Sequence, residues 1–216
     1  MMKYRKPAAL LAAVLLGCAL LGGCDEAAVT PTESTTAPGE LQTTVFEITE
    51  MFQKIRVEGG VSDVRLIPAP DNCTVGCTDI PGLQYSAKVE DGTLVIREDG
   101  SAGEYTGAEI VICLTRPDFD GLEITTTEGS MDIPMDFVFT DLNLCSDSGN
   151  VTLNGCDADV IHITTVSGNV TGTVRTDKTF TVTSQSGAVH VPDTTGGPCN
   201  ITTVSGDVTL NIGGAA

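Results

Sequence analysis

From Thr44 onward apolar and polar residues alternate with a period of two, and no helical period persists. The alternation predicts strands over 44–49, 54–58, 63–68, 83–89, 93–98 and 108–115. Turn signals fall between them: Gly59-Gly60, the Pro-Ala-Pro-Asp run at 68–71, Asp91-Gly92 and Arg116-Pro117. Beyond Leu122 the alternation becomes a repeat. Five phrases match: ITTTEGSMDI (124–133), LCSDSGNVTL (144–153), ITTVSGNVTG (163–172), VTSQSGAVHV (182–191) and ITTVSGDVTL (201–210). Their glycines, Gly129, Gly149, Gly168, Gly187 and Gly206, are spaced 20, 19, 19 and 19 residues apart.

With each glycine as zero, the apolar columns line up. Leu122, Leu142, Ile161, Phe180 and Cys199 stand seven before it, and Ile124, Leu144, Ile163, Val182 and Ile201 five before. Met131, Val151, Val170, Val189 and Val208 follow it by two, and Ile133, Leu153, Gly172, Val191 and Leu210 by four. Each repeat therefore reads as strand, tight turn, strand and a longer return, with one face of each strand buried. A fixed period of this length points to a solenoid, in which neighbouring coils bury the apolar face that one coil alone leaves open. The expected fold is an all-β, single-domain parallel β-solenoid of about 19–20 residues per coil, stacked at about 4.8 Å. The crossover rule makes it right-handed.

At the turn, Ser precedes the glycine in four copies and Asn or Asp follows it in three. The expectation is a positive φ at the glycine, which Asn and Asp also tolerate. Three before the glycine stands a hydroxyl, Thr126, Ser146, Thr165, Ser184 or Thr203, on the inward parity. It is assigned to the backbone of the corner. The frame extends upstream: Ile55, Val57, Val64 and Leu66 fit the four apolar offsets about Ser62, and Tyr85, Leu94 and Ile96 fit loosely about Gly92.

The N-terminus has a different pattern. Lys3, Arg5 and Lys6 precede an apolar run, Ala8 to Leu21, shorter than the ~20 residues a membrane span needs. It ends in Leu21-Gly22-Gly23-Cys24, which resembles a bacterial lipobox and makes Cys24 the expected lipidated residue, with Cys18 as a second candidate. The expected organisation is a lipoprotein signal peptide at 1–23 and a disordered Thr/Pro/Glu-rich tether at 24–41. Degenerate coils that cap the stack follow at 42–121, and regular repeats at 122–216. The whole chain carries a net charge of −18. Loss of 1–23 removes three of its eleven basic residues and none of its 29 acids, leaving −21. So acidic and unclustered a surface argues against binding to a nucleic-acid backbone.

Candidate chemistry is sparse. Six cysteines follow the leader, Cys73, Cys77, Cys113, Cys145, Cys156 and Cys199, and their pairing is open. Cys73 and Cys77 are close enough in sequence for a local bridge to be considered. His162 and His190 have outward parity on different strands, and no nucleophile motif accompanies either. Asp141, Asp147, Asp157 and Asp159 are the densest acids near the repeats, and solvated turns account for them better than a cation site. Thr125, Thr164, Thr183 and Thr202 form an outward column broken by Cys145, as expected of an exposed strand face.

Together FQKIRVEGGVSDVRLIP, VEDGTLVIRED, EIVICLTRP and the recurring ITTVSGNVT phrase resemble the "putative adhesin" β-strand-repeat family of bacterial envelope proteins, a domain of unknown function. The resemblance covers about residues 44–212. It implies a β-solenoid at the cell surface, often on a lipid-anchored chain, and carries over no catalytic residues. The reading is a non-enzymatic envelope lipoprotein that acts through protein contacts, with no cofactor and no metal. Two alternatives are a polysaccharide-active β-helix enzyme and a cysteine-based metal or redox sensor. With coils stacked in chain order, the strand edge near Ile212 is left open for self-association.

Overall fold

The structure, a computed structural model, describes residues 32–33, 42–103, 106–175, 178–186, 188–191 and 197–212. The described residues are all-β, with seventeen strands. In chain order these are β1 (Thr32–Glu33), β2 (Thr43–Ile48), β3 (Lys54–Glu58), β4 (Asp63–Pro68), β5 (Cys73–Thr78), β6 (Leu83–Glu90), β7 (Thr93–Gly100), β8 (Glu109–Leu114) and β9 (Asp118–Thr126). Then follow β10 (Met131–Pro134), β11 (Val138–Ser146), β12 (Val151–Thr165), β13 (Val170–Val174), β14 (Lys178–Ser184), β15 (Val189–His190), β16 (Gly197–Thr203) and β17 (Val208–Ile212).

Strand–corner–strand units stack in parallel register. One wall runs β7, β3, β9, β11, β12, β16, β14, with every neighbouring pair parallel. The other runs β8, β4, β10, β12, β13, β17, β15, again all parallel. The registers repeat the sequence frame: Leu122 pairs with Leu142, Leu142 with Ile161, and Ile161 with Cys199. Like side chains therefore pile up along the axis. Inside the stack the four columns are sealed between the walls, and Ile124, Leu144, Ile163, Met131, Val151 and Val208 are at most 1 % exposed. Each such side chain contributes about 1.5–3 kcal/mol of burial. One cluster runs from Phe46 to Leu210 without a break. At the return corner Phe52, Phe119, Phe137 and Phe139 stack with ring centroids 5.8–6.5 Å apart. The Arg116 guanidinium lies 4.7 Å from the Phe119 ring centre.

The solenoid expectation holds for these coils and fails at the N-terminal end, where the sheet is mixed. There β5 pairs antiparallel with β8 and β2, and β6 antiparallel with β7. The pairing about Gly92 is thus a hairpin, not a coil corner. Asp91 and Gly92 have φ of +48° and +74°, the two positive values of a type I′ turn. The sequence missed β5 altogether. Cys73 and Cys77 both lie on it, four residues or about 13 Å apart, too far for a bridge. Thr32–Glu33, inside the expected tether, pairs antiparallel with β2. The return between the fourth and fifth coils in the stack is a bend rather than a loop, since β12 runs through it with Gly155 at φ +76°.

Coil order is the larger correction. The β7–β8 unit stacks on the far side of β3–β4, so the earlier coil lies inside the later one. At the other end β16–β17, last in the chain, is inserted between β12–β13 and β14–β15. The open edge therefore belongs to β14–β15 and not to the coil that ends near Ile212. Amide hydrogen exchange should show this directly. Amides of β16 and β17 should exchange more slowly than those of β14 and β15, because only the former are flanked on both sides. The reverse ranking would contradict the order.

Candidate functional surface

The corner of each coil explains the repeat phrase. Gly129, Gly149, Gly168 and Gly206 stand one above another. A Cβ on Gly149 would lie 2.0 Å from Gly129 O, one on Gly168 2.0 Å from Gly149 O, and one on Gly206 2.0 Å from Gly168 O. None of the four has a positive φ. Glycine is required by the approach of one backbone to the next, so the expected conformational reason is corrected to a steric one. Ser62 occupies the same place in the β3–β4 coil and keeps its side chain, because its outer neighbour crosses there by a longer connection. Gly187 lies outside the described residues, as do Cys24 and Cys18.

The hydroxyl column is buried and bonded as the parity implies. Thr126 Oγ1 donates to Gly129 O at 2.7 Å and Thr165 Oγ1 to Gly168 O at 2.8 Å. Ser146 Oγ and Thr203 Oγ1 accept from Gly149 N and Gly206 N, each at 2.8 Å. A polar group sealed at the corner is thus satisfied locally.

The residue after the glycine has a role the sequence reading missed. Ser130 N donates to Asp63 Oδ1 (2.8 Å), Asn150 N to Ser130 Oγ (3.2 Å), and Asn169 N to Asn150 Oδ1 (3.0 Å). Asp207 N donates to Asn169 Oδ1 (2.9 Å) and Ala188 N to Asp207 Oδ1 (2.7 Å). Each coil thus offers a side-chain oxygen to the backbone of the next, in the spatial order. Ala188 ends the chain of acceptors on the outermost coil. Its lack of a side-chain oxygen marks that coil as terminal only once the ladder between coils is known. At the opposite end the Val61 and Ser62 amides donate to the Glu98 carboxylate at 3.0 and 3.2 Å, and Ser62 Oγ lies 2.9 Å from Tyr85 Oη.

The chemically varied surface is the outer face of the β6–β7–β3–β9–β11–β12–β16–β14 wall. Ion pairs lie over its first strands: Lys88 with Glu90 along β6 (2.5 Å), and across strands Arg97 with Glu90 (3.5 Å) and Glu58 (2.9 Å), and Arg56 with Glu123 (2.8 Å). All are at least partly open to solvent, and each adds at most about 1 kcal/mol to stability. Hydrogen bonds from Lys88 and Arg97 hold the Glu90 carboxyl below its ordinary range. Beside the Arg56–Glu123 pair lies an open hollow of about 220 Å³, lined by Lys54, Arg56, Gly121, Glu123, Asp141 and Asn143, among others. Toward the other end the same face turns uncharged. Thr125, Cys145, Thr164, Thr202 and Thr183 occupy matching register positions across five strands. His162 is exposed on this wall, its Nδ1 3.4 Å from Asn200 Nδ2, whereas His190 is exposed on the other wall. Among the described residues no three His, Cys, Asp or Glu side chains are grouped to hold a metal ion.

All six described cysteines are unpaired. Burial pushes the thiols of Cys77, Cys156 and Cys199 up to about 12 and that of Cys73 to about 11. An unfolded thiol titrates near 8.5. Between these values the unfolded chain gives up protons that the fold retains, so stability falls as pH rises above about 9. Each thiol steepens the fall by up to about 1.4 kcal/mol per pH unit. Urea midpoints measured from pH 8 to 11 should decline, and less steeply for Cys77→Ala. A flat profile would contradict the burial. At the corner, Gly149→Ala should cost about 3 kcal/mol through backbone overlap. Gly121→Ala, whose Cβ would meet Asp141 O at an ordinary 3.6 Å, should stay within about 0.5 kcal/mol. Equal losses in equilibrium denaturation would refute the steric account.

The fold has solved relatives. A structure of a "putative cell adhesion protein" from Clostridium sporogenes is 11% identical, with a TM-score of 0.54, over 86% of this chain and 100% of its own. A "putative adhesin" from Parabacteroides distasonis is 14% identical, with a TM-score of 0.40, over 81% and 98% of the two chains. A "putative lipid binding protein" from the same species is 14% identical, with a TM-score of 0.40, over 78% and 96%. At these identities the likeness concerns the fold alone. No curated protein matches the chain. The Toastrack DUF4097 family model matches residues 52–214, the span that holds the stacked coils and their glycine corners, and the chain belongs to that family.

Proposed function

We propose that this chain is a non-enzymatic protein of the bacterial cell envelope, held to the membrane through a lipid on Cys24 and acting through protein–protein contacts. The observation that carries the contact role is the outer face of the β6-to-β14 wall. Eight strands lie side by side there in fixed register, and their outward side chains grade from paired charges to threonine. Such a rigid face suits a partner that is itself broad, and the charges at one end fix its orientation. The hollow beside Arg56 is open and shallow, which fits a contact surface better than an enclosed reaction site. The right-handed winding belongs to this reading through the crossover rule.

Anchoring follows from the leader. Cys24 ends the apolar run at a lipobox-like sequence, and the residues between it and Thr32, where β1 pairs with β2, supply a short spacer between lipid and coils. A diacyl anchor holds a protein stably where one chain holds it only marginally.

In-cell crosslinking and fractionation test both parts. Cys24→Ala should move the protein from the membrane fraction to the soluble extracytoplasmic fraction. Arg56→Glu with Arg97→Glu should leave it at the membrane, folded, and without most of its crosslinked partner. Retention of every crosslink in the double variant would remove the charged face from the function, and membrane retention of Cys24→Ala would remove the anchor.

A further inference from the structure

The two ends of the stack are finished differently. At the N-terminal end the antiparallel β6 forms one edge, and Lys88 and Glu90 on it form an exposed ion pair. Charge of this kind is how sheet edges are kept from pairing with other chains. The other end lacks it. Among the described residues β14 pairs only with β16, and β15 only with β17. The one cation of β14, Lys178, is turned inward. It is 4% exposed, and its Nζ donates to the carbonyls of Ala158 and Asp159. Phe180, Val191 and Ile212 pack against the core but stay half-buried, and Val189 is 40% exposed.

The charge distribution points the same way. In a chain of net charge −18, the sequence over 177–193 and 197–212 holds one base, Lys178, and three acids, Asp177, Asp193 and Asp207. Two copies that approach at this end meet less repulsion than over the rest of the chain. A further parallel coil is disfavoured, because Ala188 offers no side-chain oxygen to a following backbone. The far end, with its antiparallel strands, does not supply a matching coil. Antiparallel addition remains, and the β14 sequence is suited to it. Lys-Thr-Phe-Thr-Val-Thr-Ser alternates symmetrically about Thr181, so two copies paired there set position 180 of each opposite position 182 of the other. Parity is kept across the junction, and the contact closes on itself as a two-fold dimer.

We infer that the β14 edge is the interface of a tail-to-tail homodimer, in which β14 of one copy pairs antiparallel with β14 of a second about Thr181. The two stacks then join into one longer body. The contact is backbone pairing of the kind seen when a strand is added to an exposed sheet edge.

Sedimentation velocity of the full chain over a wide concentration range tests this. The wild type should pass from monomer to dimer and go no further. Thr181→Lys sets like charges opposite each other and should weaken self-association by about tenfold or more. Thr183→Lys, also at an exposed position, should weaken it as well. Both should melt as the wild type does, which separates a lost interface from a lost fold. Under mild oxidation T181C should give more disulfide-linked dimer than the wild type, and T152C, on the other wall and paired with Asp132 and Thr171, should not. A wild type that stays monomeric, a dimer unaffected by both lysines, open-ended growth into filaments, or equal crosslinking of T152C would each overturn the proposal.

Discussion

Everything in this fold depends on how closely one corner can lie on the next. At the glycine column successive backbones meet so tightly that a single methyl group would overlap the carbonyl oxygen beneath it. That approach sets the spacing of both walls at once, because each corner joins a strand of one wall to a strand of the other. It also brings the hydroxyl three residues upstream within reach of the glycine backbone, and the side chain one residue downstream within reach of the next coil. The apolar columns supply most of the free energy through burial. They distinguish one coil from its neighbour only weakly, since most column positions hold Ile, Leu or Val, with Phe180, Cys199, Met131 and Gly172 as exceptions. The polar ladder does distinguish them.

That distinction accounts for the permuted order. A coil that must support another needs an acceptor after its glycine, and Asp63, Ser130, Asn150, Asn169 and Asp207 supply it. Ala188 has none, and its coil is outermost although another follows it in the chain. At the first coil the Glu98 carboxylate receives the two amides that find no tight corner beneath them. The stack is therefore terminated chemically at one end, whereas among the described residues no strand pairs with the outer edge of β14 or β15 at the other. The same asymmetry separates the charged part of the outer wall from its threonine part.

Membership of the Toastrack family and the likeness to solved chains agree on the architecture. The thiols fit an architectural role: three of the six are core residues, in the columns or beside them, held neutral by burial. Cys199 occupies a column position that Ile161 and Phe180 fill in the neighbouring coils, and it packs as a small hydrophobe. Burial dominates the surroundings of Cys156 and Cys199, outweighing the Lys178 ammonium that lies near both.

The sequence by itself determined the coil, the identity of its buried columns and the corner glycines. All three depend on periodicities within about twenty residues, and the backbone converts such periodicities directly into faces. It also marked Ser62 as a glycine equivalent and the inward hydroxyls as corner ligands. It misplaced β5, because Cys73 to Thr78 is short and carries no repeat phrase. It took the Asp91-Gly92 hairpin for a corner, because both are a glycine between alternating strands and only the sign of φ separates them. Which coil lies on which was decided by tertiary structure alone. Equivalent coils present nearly the same apolar ribs, so adjacency is settled by hydrogen bonds between residues 18 to 67 positions apart and by which edge can be left uncovered. No local pattern contains that information.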